Sequence, residues 1–95
     1  MALTWPAIKD PDEVKDYNLD WSALLGASDT ITSSTWTVDE GDDGLTIDSD
    51  SATTTATTIW LSAGTAGTNY SLVNRVVTAG GRTYDQTVRL KVRVK

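Results

Sequence analysis

Apolar and polar residues alternate with a period of two over much of the chain. The clearest case is the last segment, where Val88, Leu90, Val92 and Val94 are separated by Arg89, Lys91, Arg93 and Lys95. Successive side chains of a strand point to opposite faces, so this spacing predicts a strand with one core-facing side and one basic side. The same period recurs at Tyr17, Leu19 and Trp21, and at Trp36 and Val38 within the β-rich run Ile31 to Val38. Over Thr53 to Ala63 it sets Ile59, Leu61 and Ala63 on one face and Thr58, Trp60 and Ser62 on the other, so Trp60 is predicted to point away from the core. Tyr70 to Ala79 is apolar on both faces, as a central strand is, and a short strand is predicted over Leu45 to Asp48. Turn residues separate these runs: Gly26 to Thr30, the acidic stretch Asp39-Glu40-Gly41-Asp42-Asp43-Gly44, Gly64 and Gly67, and a tight hairpin at Gly80-Gly81.

Six or seven short strands with turn signals between them predict an all-β fold, an antiparallel β-sandwich of immunoglobulin-like or fibronectin-like arrangement. The corner Gly64 to Tyr70 precedes the penultimate strand, and Tyr70 is placed to act as a corner tyrosine. Before the first strand, Pro6 and Pro11 stand among charged residues. Residues 1–16 therefore read as an extended N-terminal arm, with room for one helical turn at Pro11 to Val14 capped by Asp10. Residues 17–95 read as a single domain, since 95 residues are too few for two ordinary cores.

Composition narrows the chemistry. Sixteen threonines favour strands over helices. With no histidine and no cysteine, the chain lacks the commonest general base, the commonest zinc ligands and any thiol nucleophile. Serine and threonine are abundant, but a hydrolytic nucleophile would need a lysine base, and neither Lys9 nor Lys15 sits in a recognisable motif. The acidic turn at Asp39 to Asp43 offers hard oxygen ligands without the spacing of a calcium loop, and reads as a charged hairpin tip. No catalytic residue, metal or cofactor is predicted, and the chain is read as not an enzyme. The opening MALTWPAIKD has neither the basic nor the apolar region of a secretion signal, and no run approaches the length needed to cross a bilayer, so a soluble chain without membrane contact is expected.

The net charge of −5 hides a division: residues 1–50 hold twelve acids and two bases, residues 51–95 one acid and six bases. Mapped to opposite surfaces, such halves attract other copies head to tail; folded together, they neutralise each other internally. The acidic total argues against nucleic-acid binding. The contact candidates are Trp5 and Trp60, as large indoles on the arm and on an outward face, and the basic row Arg89, Lys91 and Arg93. Trp5 has a second reading as a lid on its own sandwich, and the basic row a second reading as a solvated strand face.

The stretches KDPDEV and YNLDW near the start, with LSAGTAGTNYSLVNRVVTAGGRT near the end, resemble the phage fibre-tail adaptor family, small structural proteins of bacteriophage and prophage virions. The resemblance runs over almost the whole chain. It implies a component of the virion, made in the bacterial host cytoplasm and present in several copies, that joins tail or connector to fibres through contacts with other virion proteins, as an oligomer or in stoichiometric contact with a symmetric neighbour. The rival expectation is an immunoglobulin-like module that binds carbohydrate or a host surface through an aromatic platform with polar neighbours.

Overall fold

The period-two segments fold as strands. In the computed structural model, which describes residues 3–26, 28–40 and 44–95 (backbone alone for Asp39 and Glu40), the order is β1 Leu3–Thr4, β2 Lys15–Asp20, α1 Ser22–Leu25, β3 Ile31–Glu40, β4 Leu45–Ala52, β5 Ala56–Ala63, β6 Asn69–Thr78 and β7 Thr83–Lys91. They form two sheets, of strand order β1-β7-β6-β3 and β2-β5-β4. All neighbours are antiparallel except β1, which runs parallel to β7. The inward residues of both sheets share one core: Tyr17, Leu19, Ile59 and Leu61 from the smaller sheet, and Trp36, Leu72, Val76, Val88 and Leu90 from the larger.

A polar cross-link runs through that core. The Trp21 indole N–H donates to Thr57 Oγ1 at 3.2 Å and to Asn74 Oδ1 at 3.1 Å, and the Thr57 hydroxyl donates to the same Asn74 oxygen at 2.7 Å. The Asn74 amide then donates to Ser34 Oγ and to the Thr35 carbonyl. Buried polar groups must be paired to be tolerated, and this set pairs them across both sheets. By contrast, the buried indole N–H of Trp36 has no partner among the described residues.

At the predicted corner, Ala63 and Gly64 take left-handed φ values of 58° and 100° to turn the chain, and a Cβ on Gly64 would press to 3.1 Å from the Val92 side chain. Tyr70 is buried, and its phenolic oxygen accepts the Thr65 N–H at 2.9 Å.

The N-terminal residues lie along the edge of β7. The Trp5 N–H bonds the Arg89 carbonyl, the Lys9 N–H bonds that of Lys91, and the Arg93 N–H bonds the Lys9 carbonyl. Side chains reach the other sheet. The Trp5 ring stacks on Tyr17 with centroids 4.5 Å apart, the Trp5 indole N–H donates to the Asn18 carbonyl, and the Tyr17 hydroxyl donates to the Ala7 carbonyl at 2.9 Å. Lys9 is fully buried, and its ammonium donates to the Asp10 and Ala63 carbonyls. The segment thus bridges β7 to β2 and β5, a clasp on one side of the two sheets.

Several local expectations are revised. The turn at Pro11 to Val14 forms without a helix: the Asp10 N–H donates to Glu13 Oε1, the Glu13 N–H to the Asp10 carbonyl and the Asp12 N–H to Asp10 Oδ1, and both carboxylates also hold Lys95. The four-residue α1 follows Trp21, where a break was expected only later. β4 continues through Ser49–Ala52, because pairing with β5 overrides the weak strand propensity of the Ser/Asp run. β5 begins at Ala56, since the Thr53 hydroxyl accepts the Thr55 and Ala56 N–H groups and closes a turn. Val94, expected on the core face, is 75% exposed, because the ladder ends at Lys91 and a single bridge joins Val92 to Lys9. The Gly80-Gly81 hairpin forms, held by the buried Asp29 carboxylate, which accepts the Gly80 N–H and pairs with Arg82.

The clasp has a titration signature. Burial first, and the Glu13 charge second, push the Tyr17 hydroxyl from 10.0 up to about 12. A pKa raised on folding stabilises fully below pH 10 and is lost as pH rises from there towards 12. Burial pulls the Lys9 ammonium below its usual 10.5, the opposite case, in which stability increases with pH until about 10.5. Urea midpoints measured from pH 9 to 12 should therefore hold up to about 10.5 and then fall, by at most about 1.4 kcal/mol per pH unit for the one proton on Tyr17. The fall should be blunted in Tyr17→Phe; an equal fall there would remove Tyr17 as its source.

Candidate functional site

The outward face of the smaller sheet is acidic and carries one large ring. On β5, Ile59 and Leu61 are buried and Trp60 between them is 42% exposed. In register beside it stand Asp16 on β2 and Ser49 on β4; Asn18 stands opposite Thr58. The polar side chains around the ring are already ordered: Thr58 donates to Asn18 Oδ1 at 2.8 Å, and Ser62 donates to Asp48 Oδ1 at 2.8 Å. Asp20 extends the acidic row, and the Ser22 backbone N–H, with its hydroxyl, holds that carboxyl below the usual carboxylate range. Strands β4 and β5 contain no lysine or arginine, so nothing on them offsets these charges.

The outward face of the larger sheet is basic. Arg89 and Lys91 project from β7 opposite Ser71 and Asn69, exposed and without a salt bridge among the described residues. Arg75 lies on the same face but is held in a bidentate pair with Asp85, at 2.8 and 2.9 Å. Two shallow hollows dent this face, one of about 220 Å³ lined by Thr35, Thr37, Val73 and Arg75, the other of about 240 Å³ lined by Asn69, Tyr70, Ser71 and Arg89. Stacked sheets lie about 10 Å apart, further than the screening length of about 8 Å at physiological salt, so charges on the two outer faces do not cancel.

Of the residues singled out from sequence, the fold sets Trp60 on one outer face and Arg89 and Lys91 on the other. Arg93 is half-buried and folds back on residues 68–69, its guanidinium donating to the Thr68 and Val92 carbonyls and to Asn69 Oδ1. Trp5 is 9% exposed and lies within the core, the position of a lid on its own sheets. The acidic turn falls outside the described residues, both in Gly41, Asp42 and Asp43 and in the side chains of Asp39 and Glu40. Asp16, Asp20 and Asp48 were not anticipated; the alternation from Tyr17 marks Asp20 as outward, and only register puts Asp16 beside Trp60, with Asp20 further along β2 opposite Ala56. The charged halves divide their loyalties. Asp29–Arg82 and Glu13–Lys95 neutralise each other within the molecule, while Asp16 and Asp48 remain apart from Arg89 and Lys91.

Among the described residues no three metal-ligating side chains gather, and no described helix is long and apolar enough to cross a membrane. The chain is mostly β, in two sheets, one with a ring-bearing acidic outer face and the other with a hollowed basic one. The sequence model of the podophage GP4 fiber-tail adaptor protein gp77 family matches residues 9–91. The chain belongs to that family, a family of phage tail adaptors, as the resemblance in its KDPDEV and GTAGTNY segments implied. Individually curated proteins give no match.

Proposed function

We propose that the chain joins tail or connector to fibres in a phage or prophage virion, through protein–protein contacts made by its two outer sheet faces. The observation that carries this reading is Trp60, a large ring left outside a core that buries every other tryptophan. Exposed aromatic anchors surrounded by ordered polar groups are the usual centres of protein interfaces. In this reading residues 1–16 are an arm folded back on the domain of residues 17–95, and the domain is immunoglobulin-like. The strand orders β2-β5-β4 and β7-β6-β3 correspond to the B-E-D and G-F-C sheets of that fold, and Tyr70 to its corner tyrosine. The protein is made in the host cytoplasm and works as part of the assembled virion, with no role for nucleic acid, membrane or cofactor.

Virions assembled with Trp60→Ala in place of the native chain should carry fewer fibres and be less infectious, since removing one interface anchor of about 1.4 kcal/mol or more weakens the contact at least about tenfold. Electron microscopy and plaque counts read the two effects. Fully fibred, fully infectious Trp60→Ala particles would remove Trp60 from the contact.

A second reading is favoured by the same ring: Trp60 with Asp16, Asn18, Thr58 and Ser62 around it is an aromatic platform with polar neighbours, as carbohydrate sites are built. Titration of the isolated chain with glycans, followed by Trp fluorescence, separates the two, since an adaptor contact gives no saturable change.

A further inference from the structure

We infer that the two outer faces are complementary to each other, so that the acidic Trp60 face of one copy docks on the basic Arg89/Lys91 face of the next. The acidic face presents Asp16 beside a projecting ring, Asp48 bonded to Ser62 and Asp20 further along β2, with no base on β4 or β5 and the one base of β2, Lys15, lying over the Tyr17 ring. The basic face presents Arg89 and Lys91, free of salt bridges among the described residues, beside hollows of about 220 and 240 Å³. A knob within negative charge thus faces a dented surface of positive charge, the arrangement that steers encounter and sets register. A second copy is the occupant, because both surfaces belong to one chain and the exposed charges beside Trp60 on one are opposite in sign to Arg89 and Lys91 on the other.

The symmetry follows from the placement. The faces lie on opposite sides of the domain, so the contact is heterologous: each copy uses one face to bind its predecessor and the other its successor. Such a contact repeats until a rotation closes it into a ring. The inference goes beyond the adaptor role and does not require it.

Three strands of about eight residues, at about 4.8 Å spacing and about 3.3 Å per residue, make a face of roughly 14 by 26 Å. That is smaller than a standard stable interface of about 800 Å² per partner, so association is weak in the isolated chain and depends on charge. Light scattering of the wild type from about 10 μM to about 1 mM should show mass rising with concentration at about 20 mM salt and falling at about 500 mM.

Two face variants test the geometry. Trp60→Ala with Asp16→Lys disables the acidic face, and Arg89→Glu with Lys91→Glu disables the basic one. Each alone should be monomeric, with affinity reduced at least about tenfold. Mixed in equal amounts they should form a 1:1 dimer that grows no further, because one intact acidic face and one intact basic face remain between them. All four positions are exposed, and thermal melts matching the wild type confirm that each variant is folded. A wild type monomeric at about 1 mM in low salt, a face variant that assembles like the wild type, or a mixture that does not dimerise would each overturn the inference. A monomeric wild type whose Trp60→Ala virions still lose their fibres would leave the adaptor function standing and this contact refuted.

Discussion

Replacing Asn74 with leucine should destabilise the fold by about 3 kcal/mol, although leucine fills nearly the same volume and opens no cavity. Asn74 is fully buried and uses both ends of its amide: two donors reach its oxygen and two acceptors receive from its nitrogen. Leucine leaves the Thr57 hydroxyl without its acceptor and halves the bonding of the Trp21 N–H, inside a core where each unpaired group costs about 1–3 kcal/mol. Urea denaturation should report a lower midpoint with an unchanged slope, the mark of lost native stability. Adding Thr57→Val removes the stranded hydroxyl but also the last acceptor of the Trp21 N–H, so the losses of the two singles should fail to add by at least about 0.5 kcal/mol. Additive losses would mean that the two side chains are not energetically linked.

Trp5→Ala should be comparably severe, at about 3–5 kcal/mol, the range for deleting a buried tryptophan. The ring lies against Tyr17 and 5.9 Å from Trp36, so its removal opens the seam between the sheets where the clasp crosses it. The effect should also have a location. Amide exchange at Trp5, Lys9 and Arg93, whose N–H groups make the bonds between the arm and the end of the chain, should quicken well beyond that of Leu72 or Val76 at the centre of β6. Trp5→Phe, which keeps the stack and loses only the bond to Asn18, should retain most of the stability. A Trp5→Ala protein that melts like the wild type would show that the arm adds nothing to the fold.

What could be read from sequence was what depends on near neighbours. Ile59 and Leu61 bracket Trp60, so its outward direction follows from alternation alone, and Tyr70 after Gly64 and Gly67 locates the corner. What could not be read was register and reach. Nothing near Leu3 or Lys9 names Val88 or Val92 as partner, because that parallel pairing spans most of the chain, and prolines indicate an extended backbone without saying what it lies on. Trp5 was ambiguous for this reason: a lone indole in an arm reads equally as an anchor for another protein or for its own. α1 is four residues long, too short to show a helical period. Arg93 continues the alternation of the last strand, but the ladder stops before it, and a guanidinium freed from the sheet turned back to nearby carbonyls.

The parallel pairing of β1 with β7 also sets the order in which the molecule is made. Residues 3–9 leave the ribosome well before their partners at 88–92. Until residues 88–92 emerge the arm has no strand to lie on, and Trp5 and Lys9 remain in water. Closure is therefore a late, long-range event, of the kind that slows β-rich folding and leaves a sheet edge open in the meantime. A newly made chain completes its larger sheet only once these two distant segments have found each other.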